Sequence, residues 1–221
     1  MSNPYWTGLF FKGLLNTVLI AVCGLLIGIV VGTLIAMVKV APKYKRVVRV
    51  LDKICSVYVA IFRGTPMVVQ LLIAYYVLLP AMGARGVEAI NVGIVVFGLN
   101  SGAYVSEIMR SGILSVDAGQ REAGRALGLS YPSTMLRIVL PQALKNSLPA
   151  LGNELIALVK DTSVAGFIAV FDLTQAFKLI GSSSYEFMIP YLVLALFYLV
   201  IVGILTVIIK MIERRFAKSD K

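Results

Sequence analysis

Residues 119–143 read GQREAGRALGLSYPSTMLRIVLPQA, and they place Arg, Glu, Gln, Gly and Pro inside an otherwise apolar chain. The 221-residue sequence is 59% hydrophobic, with a mean hydropathy of +0.90. The stretch carries helix punctuation. Asp117 is placed to cap a short helix bearing Gln120, Arg121, Glu122, Ala123, Gly124, Arg125 and Ala126. Gly128 suits the position just past that helix's end. Ser130 can cap a second helix with Pro132 in its tolerant first turn. Met135, Leu136, Val139 and Leu140 give this second helix an apolar face, and Pro141 closes or bends it. The pattern predicts a helix-turn-helix laid on a membrane surface; a plain amphipathic interface segment is the alternative.

The flanking sequence supplies the membrane. Uncharged apolar runs lie between Lys12 and Lys39, Arg63 and Arg85, Glu88 and Glu107, and Glu186 and Lys210. A helix crossing a bilayer needs about 20 mostly apolar residues. A further run near 148–170 is interrupted by Glu154, Lys160 and Asp161. The expected fold is an all-α membrane protein, a single domain over 1–221 with five spans near 13–38, 54–79, 89–110, 148–170 and 187–210. The polar loop at 111–147 joins the third and fourth. Gly24, Gly28 and Gly32 form a small-residue series suited to a helix-packing seam.

The charge of +10 is unevenly distributed. Lys39, Lys43, Lys45, Arg46, Arg49 and Lys53 follow the first run. Arg110, Arg121, Arg125, Arg137 and Lys145 follow the third, and Lys210, Arg214, Arg215, Lys218 and Lys221 the fifth. Cations favour the cytoplasmic side, so the N-terminus is expected outside and the C-terminus inside. Topology accounts for the basic balance, and a nucleic-acid role is disfavoured. The chain has no His, which removes a His base and any His-containing metal site. Cys23 and Cys55 lack CxxC spacing and read as packing residues. The first span lacks a basic n-region and a cleavage site, and is expected to be retained.

Ionisable residues inside a bilayer are expensive and point to function. Asn100, Tyr104 and Glu107 share one face of the third span; Glu154 and Asp161 share one face of the fourth, with Thr162 and Ser163 following. The two faces match in depth in antiparallel order and are expected to line a polar pathway. Pro66 should break the second span beside Arg63, Thr65 and Met67, freeing backbone groups for a ligand or gate, with Gln70 beyond. The acids favour a cationic substrate. Internal neutralisation by Lys160 or Arg63 is the competing possibility.

The spacing Glu122-Ala123-Gly124, three residues, Gly128, nine residues, Ile138-x-Leu140-Pro141 resembles the EAA motif of ABC importer permeases. Gly124 departs from the usual Ala, a small-for-small change expected to loosen the helix. "FRGTPMVVQLL" (62–72) and "ELIALVKDTSVAG" (154–166) are similar to segments of permeases for polar amino acids. With the span layout, the resemblance covers nearly the whole chain. It implies a type I ABC importer transmembrane domain, multi-pass in a prokaryotic cell membrane among its lipids. It also implies pairing with a second permease copy, itself or a close paralogue, and with two cytoplasmic ABC ATPase subunits. The EAA loop would dock on the ATPase as a coupling helix. An extracellular or periplasmic binding protein would deliver the amino acid. No G-x4-G-K-[ST] is present, so ATP and Mg belong to the partner, and the chain is expected to be neither an enzyme nor a cofactor binder. The acids point to arginine, lysine or histidine as substrate. A permease for glutamine or glutamate, and a stand-alone ion-coupled transporter or channel, are the alternatives.

Overall fold

The computed structural model describes the backbone of residues 4–218 and the side chains of 6–215; Lys218 and Lys221 of the C-terminal basic cluster lie outside the described side chains. Helix α1 (Pro4–Val40) outruns its apolar stretch at both ends and packs along α4 (Ala89–Leu114), the most enclosed helix of the fold. The seam between them is built from small residues. A Cβ on Gly24 would stand 3.2 Å from the Phe97 Cβ, one on Gly28 2.6 Å from the Ser101 hydroxyl, and one on Gly32 2.7 Å from the Ser106 nitrogen. Gly98 and Gly102 of α4 answer with equally close approaches to Ile27 and Val31. The glycine series is therefore a packing seam, because only hydrogen side chains allow the two backbones this close.

The expected second span is two helices. Helix α2 (Arg46–Gly64) and helix α3 (Met67–Ala81) meet at 108°. Pro66 forces the break: it has no N–H and drives Thr65 into extended backbone (φ −121°, ψ 144°). Helix α3 widens to a π-type stretch over Ile73–Leu78.

The polar loop contains helix α5 (Ala118–Ala126) and helix α6 (Tyr131–Thr134). The second of these does not end at Pro141. It passes through a π-type stretch, Met135–Val139, into helix α7 (Leu140–Asp161), with Pro141 in the first turn of α7. Widening of the preceding turn accommodates the ring and the missing donor. The interval expected as one span, 148–170, is thus the second half of α7 followed by a tight 3-10 segment, Thr162–Ile168. Helix α8 (Leu173–Ser184) was not anticipated. Its N-cap Asp172 accepts hydrogen bonds from the backbone N–H groups of Thr174 (3.1 Å) and Gln175 (3.0 Å). Helix α9 (Met188–Lys218) closes the fold.

Among the described residues, α1, α4 and α9 are each long and apolar enough to cross a membrane, and the bent α2–α3 pair passes as one broken span. The charged and amide residues of α7 keep it out of that set. One buried cluster joins Ile20, Leu71, Phe97, Leu158 and Ile168; a second joins Val105, Met109, Ile113, Met135 and Val139. The outward faces of α1 and α9 expose Leu26, Val30, Leu196, Leu199 and Ile204, as lipid-facing surfaces do.

Candidate functional site

The break between α2 and α3 opens onto α4 and α7, and a cavity of about 440 Å³ lies between them. Thr65, Pro66 and Met67 line it from the break, Asn100 and Tyr104 from α4, and Glu154, Ala157 and Asp161 from α7. Ser163 and Val164 of the 3-10 segment complete the wall. Seven of the ten residues expected to form a polar pathway therefore meet in one cavity.

The other three stand elsewhere. Glu107 is engaged by Lys39 Nζ at 2.7 Å and by Arg110 Nε at 2.8 Å. It lines a separate cleft with Ser111, Asn146 and Ser147, nearer the end of α4. It shares a helix face with Asn100, but α1 ends beside it and brings Lys39 within reach, a proximity no sequence spacing reveals. Thr162 is fully buried and donates to the Val159 carbonyl at 2.7 Å, the local bond of a tight helical turn. Arg63 lies outside the lining with its guanidinium carbon 5.3 Å from the Tyr104 ring centre, a cation–π contact.

Glu154 accepts a hydrogen bond from the Ser101 hydroxyl at 2.9 Å, and Ser101 is fully buried against the glycine seam. Among the described residues neither Glu154 nor Asp161 makes an ion pair within 4 Å, although the neighbouring Lys160 charge acts on Asp161 from farther off. Ser101 escaped the sequence reading because a serine beside glycines in a span looks like packing.

The second site is α5. Asp117 caps it, accepting from the Gly119 N–H at 2.7 Å. Gly128 (φ +75°) ends it, donating to the Arg125 carbonyl at 2.9 Å while Leu129 N–H reaches the Gly124 carbonyl at 3.0 Å. Gln120, Glu122, Ala123, Arg125 and Ala126 are exposed, as is the tip residue Leu127 at 78%. Arg121, Glu122 and Arg125 also face a cleft of about 350 Å³ shared with Val40, Pro42, Tyr131 and Met135. Burial here pushes the Tyr131 phenol above its ordinary range, against the opposing pull of Arg121. Gly124 is the one buried residue of α5, and a Cβ there would meet Thr134 Cγ2 at 2.6 Å. The departure from the EAA pattern therefore admits close packing of α6. Ser130 occupies the cap position of α6, but no capping bond from its side chain forms.

The family described as "binding-protein-dependent transport system inner membrane component" matches residues 24–218. The chain belongs to this family. It is a permease subunit of the ABC transporter class, placed in the inner membrane. The permease is 37% identical over 209 residues to the arginine transport system permease protein ArtQ of Bacillus subtilis (strain 168), covering 95% of this chain and 93% of that one. It is 36% identical over 216 residues to the L-cystine transport system permease protein TcyB of the same organism, covering 97% and 89%. A crystal structure of an amino acid ABC transporter with histidines matches with TM-score 0.82 at 36% identity, over 96% of the permease and 95% of that chain. The broken helix, the two-acid cavity and the capped surface helix are thus features of a permease.

Proposed function

We propose that this chain is the membrane-spanning subunit of an ATP-driven importer that carries a polar, cationic L-amino acid into the cytoplasm by alternating access. The observation that carries the substrate class is the cavity in which Glu154 and Asp161 meet without an ion-pair partner among the described residues. A unit charge 4 Å from a carboxylate gains about 4 kcal/mol at an effective dielectric of 20, so a guanidinium or ammonium is the matching guest. Similarity to an arginine permease agrees with that choice, while similarity to an L-cystine permease widens it to other amino acids. The chain crosses the membrane five times with its N-terminus outside; α7 is a polar-faced crossing that faces protein and cavity rather than lipid.

Helix α5, with Glu122, Arg125 and Leu127 exposed, docks on a cytoplasmic ATPase as the coupling helix. ATP and Mg are used there, and a binding protein outside delivers the amino acid. A second permease copy completes the assembly. The test is uptake of radiolabelled L-arginine into liposomes containing permease, ATPase and binding protein, with competition by lysine, histidine, glutamine and glutamate. Competition by the cationic amino acids and ATP dependence are expected. Stronger competition by glutamate than by lysine refutes the charge match, and uptake driven by an ion gradient without ATPase refutes the importer assignment.

A further inference from the structure

We infer that Gln70 sets the hydrogen-bond polarity of the cavity: it fixes the Asn100 amide so that only the carbonyl oxygen is left for substrate, which makes Asn100 a receptor for the substrate's α-ammonium group. The inference rests on the proposal that this cavity binds an amino acid. Gln70 lies on α3 one turn past the break. The two protons of its Nε2 are shared among three acceptors, the Phe62 carbonyl at 2.9 Å, the Thr65 carbonyl at 3.0 Å and the Thr65 hydroxyl oxygen at 2.9 Å. The Thr65 hydroxyl spends its own proton on the Ile61 carbonyl at 2.8 Å, so it can only accept from Gln70.

Three acceptors around one end of the amide determine which end it is. The reversed amide would set a carbonyl oxygen against three oxygens. The Gln70 Oε1 is therefore directed at Asn100, whose Nδ2 donates to it at 3.0 Å and to the Phe62 carbonyl at 3.3 Å. An amide nitrogen has two protons, and both are used. Asn100 Oδ1 accepts no hydrogen bond from the described residues, and Asn100 lines the cavity. With Glu154 and Asp161, the cavity then offers acceptors to a substrate's cationic groups, and the Asn100 amide cannot turn to serve a carboxylate. The carbonyls that impose this exist because Pro66 broke the helix and left them without intrahelical donors.

The experiment is competitive binding of radiolabelled L-arginine to the purified permease–ATPase complex without binding protein. L-arginine is compared with its 2-hydroxy analogue, argininic acid, which lacks the α-ammonium. Gln70→Leu frees Asn100 to turn, and the preference for arginine over argininic acid is expected to fall roughly tenfold, the worth of one hydrogen bond to a charged group. In the Gln70→Leu background, Asn100→Asp presents only acceptors whichever way it turns, and it should hold the preference within about threefold, even if the open break weakens both ligands alike. Equal loss of preference in both variants, or none in Gln70→Leu, overturns the inference. Where Gln70→Leu fails to assemble, Asn100→Leu substitutes: its preference must also fall about tenfold, and an unchanged ratio overturns the inference. Failure of the wild-type complex to bind arginine refutes the cationic-substrate proposal instead, and the same ratio is then read with L-glutamine and its 2-hydroxy analogue.

Discussion

Replacing Gly124 by Ala would restore the usual residue of the EAA pattern, and the structure expects harm from it. A Cβ at Gly124 would lie 2.6 Å from Thr134 Cγ2 and 2.8 Å from Thr134 Oγ1, where ordinary contact begins at 3.4 Å. Thr134 is 4% exposed, so α6 must move away from α5 by most of an ångström. Overpacking of this kind costs about 1–3 kcal/mol, while the better helix propensity of Ala returns about 1 kcal/mol. The net is a loss of roughly 0–2 kcal/mol and a displaced α5. The Thr134 hydroxyl is buried with no partner, so Thr134→Ala removes the clash at small cost. The pair should therefore couple, the double variant being more stable than the sum of singles by about 0.5–3 kcal/mol. The assay is a double-mutant cycle on thermal unfolding of the permease–ATPase complex, with ATP-driven uptake measured in parallel. Gly124→Ala should lower both, and adding Thr134→Ala should restore both. Full activity and stability of Gly124→Ala alone, or no rescue by Thr134→Ala, would refute the reasoning.

Further expectations concern the seam, the ion pair and the acids. Gly28→Ala should displace the Ser101 hydroxyl from Glu154, since a Cβ there stands 2.6 Å from that oxygen; a raised KM for arginine uptake is the readout, with destabilisation of about 1–3 kcal/mol. Glu107→Gln removes the partner of a Lys39 side chain that is only 15% exposed; the melting temperature of the complex should fall while arginine affinity stays unchanged. Asp161→Asn, by contrast, should raise the KM for arginine about tenfold or more with assembly intact, checked by uptake and co-purification of the ATPase. Glu122→Lys should reduce ATPase co-purification and uptake together, and undiminished uptake would exclude α5 as the coupling element.

The helical ends of the polar loop were legible because their signals are local. Asp117 and Gly128 act on backbone groups within a few residues, so their types alone place α5. The missed helix α8 carried the same kind of signal, with Asp172 three residues before Gln175, hidden in an interval read as the gap between spans. The reach of the helix that follows Ser130 was not legible, since Pro141 ordinarily stops a helix and here enters one after a widened turn.

Sequence alone determined that the chain is a helical membrane protein, that Pro66 interrupts a span, that Gly24, Gly28 and Gly32 lie on one helix face, and that Asn100 and Tyr104 share a face of one span while Glu154 and Asp161 share a face of another. Each follows from composition or from a period of 3.6 residues. Tertiary structure decided which of those polar groups share a cavity. Glu107 left the set because Lys39, distant in sequence, arrives beside it at 2.7 Å. Gln70 does not line the cavity but holds Asn100, which does, because the 108° bend turns α3 back toward α4 and sets its amide between the broken helix and Asn100. Periodicity tells which residues face the same way along one helix; only the packing of several helices tells what those residues face.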